Sequence, residues 1–172
     1  MKQKRIAGMT LVELLCALAV VLLVSAGMVL GVSLAVRSYE RSVAGSEAQV
    51  LCSTLETIVS DELRYAGTVS VAEDGSVRYF SRSYGQNASL YADGQSGQLT
   101  VETPDNLAEP THKLLPSRTY PYGLRAALTI GYSEPEGIFH VSLQVMNRQG
   151  ETLSETEFDV ERLNKSAADA GN

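Results

Sequence analysis

Residues Gly8 to Val36 read GMTLVELLCALAVVLLVSAGMVLGVSLAV. From Leu14 to Val36 the chain runs 23 residues without a charge. As an α-helix at ~1.5 Å per residue this is roughly 35 Å, enough to cross a hydrocarbon layer of about 30 Å with a slight tilt. Lys2, Lys4 and Arg5 stand ahead of it, and Arg37 and Arg41 follow it. The positive-inside rule places such a basic leader on the cytoplasmic side, with the remainder of the chain outside. Glu13 is the feature a plain anchor would lack. A carboxylate in a lone membrane helix costs on the order of 2.5–3.5 kcal/mol, and such residues ordinarily have a partner and a function.

A short basic leader, then Gly8, then Met9-Thr10-Leu11-Val12-Glu13, then an unbroken apolar run, resembles the type IV pilin and pseudopilin family. The resemblance covers about residues 2–36. It implies that a membrane peptidase, the prepilin peptidase, cuts between Gly8 and Met9 and that the new amine of Met9 is methylated. Many members carry Phe where this chain has Met9. The resemblance also implies partners: other pilin or pseudopilin subunits and a polytopic assembly platform in the membrane. Glu13 would then meet the amine of an incoming subunit, two isolated charges becoming one pair. Deleting one partner of a buried pair typically costs ~3–5 kcal/mol, because the other charge remains bare. Glu13 is thus expected to set the stagger between subunits and to take no part in catalysis.

A secretory signal peptide is the competing reading of the same stretch. Val24-Ser25-Ala26 loosely fits a small-x-small cleavage site and would leave a mature chain beginning at Gly27. The apolar run is long for that purpose, continues to Val36, and leaves Glu13 without a role. Gly27 and Gly31 form a small-xxx-small pair that lets helices approach closely, although glycine is also common in membrane helices generally. No proline occurs before Pro104, so the helix has no proline at which to unwind.

The expected organisation is α+β. Residues 1–8 are a leader, 9–36 the membrane and filament-core segment, and 37–66 an amphipathic continuation of the same helix. Residues 67–163 form a β-sheet head with an irregular loop over 103–123, and 164–172 a polar tail expected to lack order. Val50, Leu51, Leu55, Ile58, Val59 and Leu63 recur at three- and four-residue steps, the signature of a helix with one buried face. Gly67 is the expected stop. Beyond it the period changes to two. Thr68–Ala72 and Ser76–Ser81 flank Asp74-Gly75 as a hairpin, and Gln98–Glu102 is a third strand. Runs at 124–132, 138–146 and 152–163 complete an antiparallel meander against the helix.

The chain has 20 acidic and 14 basic residues, a net of −6, and three of the basic ones precede Gly8. From Met9 onward the charge is therefore about −9, which argues against general nucleic-acid binding by the head. Cys16 and Cys52 lie 36 residues apart on the expected helix. That is ~54 Å, against an upper limit of ~7 Å between α-carbons for a disulfide. No HExxH, GxSxG, P-loop, Cys/His cluster or EF-hand pattern occurs, so no catalytic residue, metal or cofactor is expected. His112 and His140 are expected to face solvent. Glu151, Glu155, Glu157, Asp159 and Glu161 are expected to form a solvated face on the last strand. Tyr84, Tyr120, Tyr122 and Arg82 are the candidates for a contact surface, since Tyr and Arg are enriched where proteins meet. A singly anchored or secreted binding domain outside any filament is the alternative function.

Overall fold

The computed structural model describes residues 10–73, 75–106, 108 and 110–163. Helix α1, Leu11–Arg64, is unbroken, as expected of a run without proline. The chain divides into two compact units, Met1–Val43 and Ala44–Asn172.

In the first unit α1 is apolar on every side, and none of its large hydrophobic residues is buried. Its length and composition suffice to cross a membrane. Such a helix must satisfy its polar groups internally. Ser25 and Ser33 do so, their hydroxyls donating to the carbonyls of Val21 at 2.7 Å and Val29 at 2.9 Å. A Cβ placed on Gly27 or Gly31 would meet nothing within 4 Å, so among the described residues none fills the space beside them.

In the second unit the helix turns amphipathic and buries Ala48, Leu51, Cys52, Leu55, Val59 and Leu63. The stripe is shifted slightly from the expected one. Val50 is exposed and Ile58 half-buried, while the small Ala48 and Cys52 lie inside. The helix ends at Arg64, ahead of Gly67. Gly67 serves close approach: its N–H donates to the carbonyl of Phe80 at 2.8 Å, and a Cβ there would press on Phe80 at 3.0 Å.

Among the described residues eight strands follow, in two antiparallel sheets. β1 (Val69–Val71), β2 (Val77–Ser81), β3 (Gln86–Ala92), β4 (Leu99–Glu102) and β5 (Thr111–Lys113) form one meander in chain order. β6 (Arg125–Ser133), β7 (Ile138–Met146) and β8 (Thr152–Glu161) form the other. Two features correct the sequence expectation. β3 lies between the expected hairpin and the expected third strand, where no strand is expected, and the segment 103–123 contains β5 and two 3-10 turns, Ser117–Thr119 and Pro121–Gly123. Period-two burial is clearest in β2 and β7, where Val77, Tyr79 and Ser81, and Phe139, Val141, Leu143 and Val145, point inward.

The core lies where these strands meet the helix. Leu55, Val59 and Leu63 join Tyr79, Leu99, Val101, Phe139 and Leu143 in one buried cluster. Polar contacts tie the helix to both sheets. Glu62 accepts from the hydroxyls of Ser81 at 2.5 Å and Ser83 at 2.7 Å, and the Thr156 hydroxyl reaches Glu56. The N–H of Leu163 donates to the Arg64 carbonyl at 2.9 Å. Both cysteines are free. Cys52 is buried, which pushes its thiol upward against the opposing effect of a hydrogen bond with Ser154.

Candidate assembly site

The helix start is built by Thr10. Its Oγ1 accepts from the N–H of Glu13 at 3.3 Å, and its carbonyl accepts from the N–H of Leu14 at 3.2 Å. The first four amides of a helix have no partner within it, and a threonine hydroxyl at the N-cap satisfies one of them. Thr10-Leu-Val-Glu13 also has the spacing of a capping box, a signal present in the sequence but not read there. The cap fixes where α1 begins and so places Glu13 in its first turn, where the helix dipole favours a negative charge. Glu13 is exposed, and among the described residues its carboxylate has neither an ion-pair nor a hydrogen-bond partner. Gly8 and Met9 lie outside the described residues.

The four candidates for a contact surface separate. Tyr120 is only 8% exposed, and its hydroxyl accepts from the N–H of Leu99 at 3.1 Å, so it serves the core. Burial raises its hydroxyl, opposed by that bond. Tyr84 is half-buried, its ring stacked on His112 with centroids 4.8 Å apart. His112 is therefore only half-exposed, contrary to expectation, while His140 is exposed and pairs with Asp159 at 2.7 Å. Tyr122 stays 64% exposed and holds a left-handed φ of 56°, an uncommon and costly conformation for a bulky residue. Arg82 is exposed at an open 440 Å³ cleft with Asp61, Glu62, Tyr65 and Ser83.

Glu62 is the residue of this region that sequence reasoning missed, because its pattern position looked like a solvated helix face. Beside it Tyr79 is fully buried, with a hydroxyl that finds no hydrogen bond of good geometry. Burial, and then the Glu62 carboxylate, push the Tyr79 hydroxyl strongly upward, and burial and Glu62 raise Tyr84 also. This arrangement holds the helix on β2. Among the described residues no three His, Cys, Asp or Glu side chains converge as metal ligands would.

Neither curated proteins nor solved structures yield a match to this chain. The family comparison does. Residues 3–29, which take in Lys4, Arg5, Gly8, Glu13 and most of the uncharged helix, match the prokaryotic N-terminal methylation motif, and the chain thereby carries the signature of the type IV pilin family.

Proposed function

We propose that this chain is a structural subunit, a minor pilin or pseudopilin, of a type IV pilus or of a secretion or competence pseudopilus. The methylation motif over residues 3–29 carries this reading. Prepilin peptidase cuts between Gly8 and Met9, and the Met9 amine is methylated. The membrane segment then leaves the bilayer to join a helical filament through an assembly platform and neighbouring subunits. Lys2, Lys4 and Arg5 favour a cytoplasmic N-terminus before cleavage, with the head outside.

The physical logic concerns Glu13. Its carboxylate has no partner in its own chain among the described residues. The new terminal amine of a neighbour supplies the complementary charge in a low-dielectric surrounding, where pairing is strong and mispairing costly. Gly27 and Gly31 leave room for a neighbouring helix to approach. The long 103–123 segment and the absence of a disulfide between Cys16 and Cys52 support a minor subunit or pseudopilin over a major one.

Mass spectrometry of the membrane-extracted chain tests the reading. An N-terminal peptide that begins at Met9 and carries one extra methyl group is expected. A chain that still begins at Met1, or that begins at Gly27, would instead mark a simple anchored or secreted domain.

A further inference from the structure

The outer face of the β6–β7–β8 sheet is electrically divided. Pairing aligns Arg125 with Met146, Gln144 with Glu155, Ser142 with Glu157, His140 with Asp159 and Ile138 with Glu161, so Arg125 and these four acids share one face. All four acids are exposed on β8, which pairs only with β7 among the described strands. At the opposite corner a cleft of about 430 Å³ is lined by Gly94, Gly97, Arg125, Met146, Arg148 and Gly150, among others.

Neither guanidinium in this cleft meets an acid. Arg125 donates to the carbonyls of Gly94 at 2.6 Å and Gln95 at 3.3 Å, and exposed Arg148 has no ion-pair or hydrogen-bond partner among the described residues. The acid of the cleft, Asp93, is already engaged. It accepts from the hydroxyl and N–H of Ser96 and the N–H of Gln95, which together hold its carboxyl low. The cleft is shaped for the arginines. Gly97 and Gly123, both at positive φ, lie so close under Arg125 and Arg148 that a Cβ on either would collide with the arginine. Tyr122, exposed and strained, is the chain neighbour of Gly123.

Within one molecule neither Glu155 nor Glu157 pairs with Arg125 or Arg148. Glu155 and Glu157 sit two and four residues further along the sheet, ~7–14 Å, and two strands across, about 10 Å. Neither has an ion-pair partner among the described residues. Glu155, Glu157 and the two arginines are thus left unpaired with one another, and Glu155 and Glu157 stand from Arg125 at a separation near or beyond the screening length of ~8 Å at physiological salt.

We propose that the Arg125–Arg148 cleft is a docking site for the acidic β8 face of a second copy of this chain. Glu155 and Glu157 of one copy pair with the two guanidiniums of the next, and Tyr122 is placed to pack at the contact. The two surfaces differ, so the contact is head-to-tail and need not close. The proposal deepens the filament-subunit reading and rests on it.

Charge exchange provides the test, on the full chain in nonionic detergent micelles, with association read by energy transfer between labelled copies at low and high salt. Arg125→Glu with Arg148→Glu, or Glu155→Lys with Glu157→Lys, should each weaken association about tenfold at low salt, as two exposed pairs turned repulsive would. All four substitutions in one chain should restore it to within about threefold of the original. Unchanged association in either reversed pair overturns the proposal. So does failure of the four-fold variant to recover while its circular dichroism matches the parent. Weakening by the arginine changes alone, with the glutamate changes silent, would also overturn it and point to a different anionic partner. Methylated Met9 is checked on the same samples, so a lost head contact is distinguishable from a failed filament reading.

Discussion

Two stretches of α1 are equally helical and similarly aliphatic, yet they meet opposite fates. Between Leu14 and Val36 the leucines and valines all stand exposed, whereas Leu51, Leu55, Val59 and Leu63 vanish into the core of the head. The difference lies in spacing. Apolar residues on every side give a helix that the protein cannot cover with its own atoms, and its stability must come from lipid or from neighbouring helices. Apolar residues on one stripe, with Glu56 and Glu62 at its edges bonded to β8 and to the β2 end, give a helix completed by its own chain.

The largest expected effect follows from that contrast. Leu55→Ala should destabilise the head by about 3 kcal/mol, through lost burial and a residual cavity. Leu22→Ala, on the uncovered stretch, should move it by less than about 0.5 kcal/mol. Urea melts of the full chain in micelles, followed by tyrosine near-ultraviolet dichroism, measure both. Equal effects would erase the distinction between the two stretches.

A smaller effect sharpens the picture of the covered region. Tyr120→Phe leaves the buried Leu99 N–H without its acceptor and should cost about 1–2 kcal/mol. Tyr79→Phe removes a hydroxyl that has no good partner and should be neutral or stabilising by up to about 1 kcal/mol. The pair also predicts an alkaline limb. An unfolded tyrosine ionises near 10.0, while folded Tyr79 keeps its proton well above that. The folded state then binds more protons, so the stability is whole below pH 10 and falls as pH rises beyond it. Tyr79→Phe should flatten that limb in melts across the alkaline range. An unchanged limb would mean that Tyr79 ionises in the folded state much as it does unfolded.

At the uncovered end the effect is smaller again. Thr10→Ala removes the cap and should cost the first turn of α1 about 1 kcal/mol, seen as faster amide exchange over residues 11–14. Unaltered exchange there would show that the surroundings, and not the cap, set where the helix starts.

Much of this was legible in the sequence because the signals were periodic. The uncharged run, the three- and four-residue steps to Leu63, the Val69–Ser81 hairpin and the three final strands all declared themselves. β3 did not. Gln86-Asn-Ala-Ser-Leu-Tyr-Ala92 has no β-branched residue, and only Ala88 and Leu90 of it are fully buried, so its alternation is faint. β5 is three residues between prolines, held by its pairing with β4. The division into two sheets depends on which strands pair, and no local pattern carries that. At the candidate assembly site the motif pointed to Glu13, whereas the Thr10 cap was visible only as a spacing. The fate of Tyr120 turned on a tertiary contact with Leu99 that its own neighbourhood in sequence could not disclose.

The Glu13 carboxylate has no partner among the described residues, and it is proposed to pair with an amine that exists only after cleavage at Gly8. Glu13→Gln keeps the shape and removes the charge. Filaments sheared from cells expressing that variant, compared with the parent while the Met9 terminus is checked by mass, give the most direct measurement. The account predicts a correctly cut chain that stays in the membrane and is largely missing from the sheared fraction. A cut chain with Gln at position 13 that enters filaments as efficiently as the parent would contradict it.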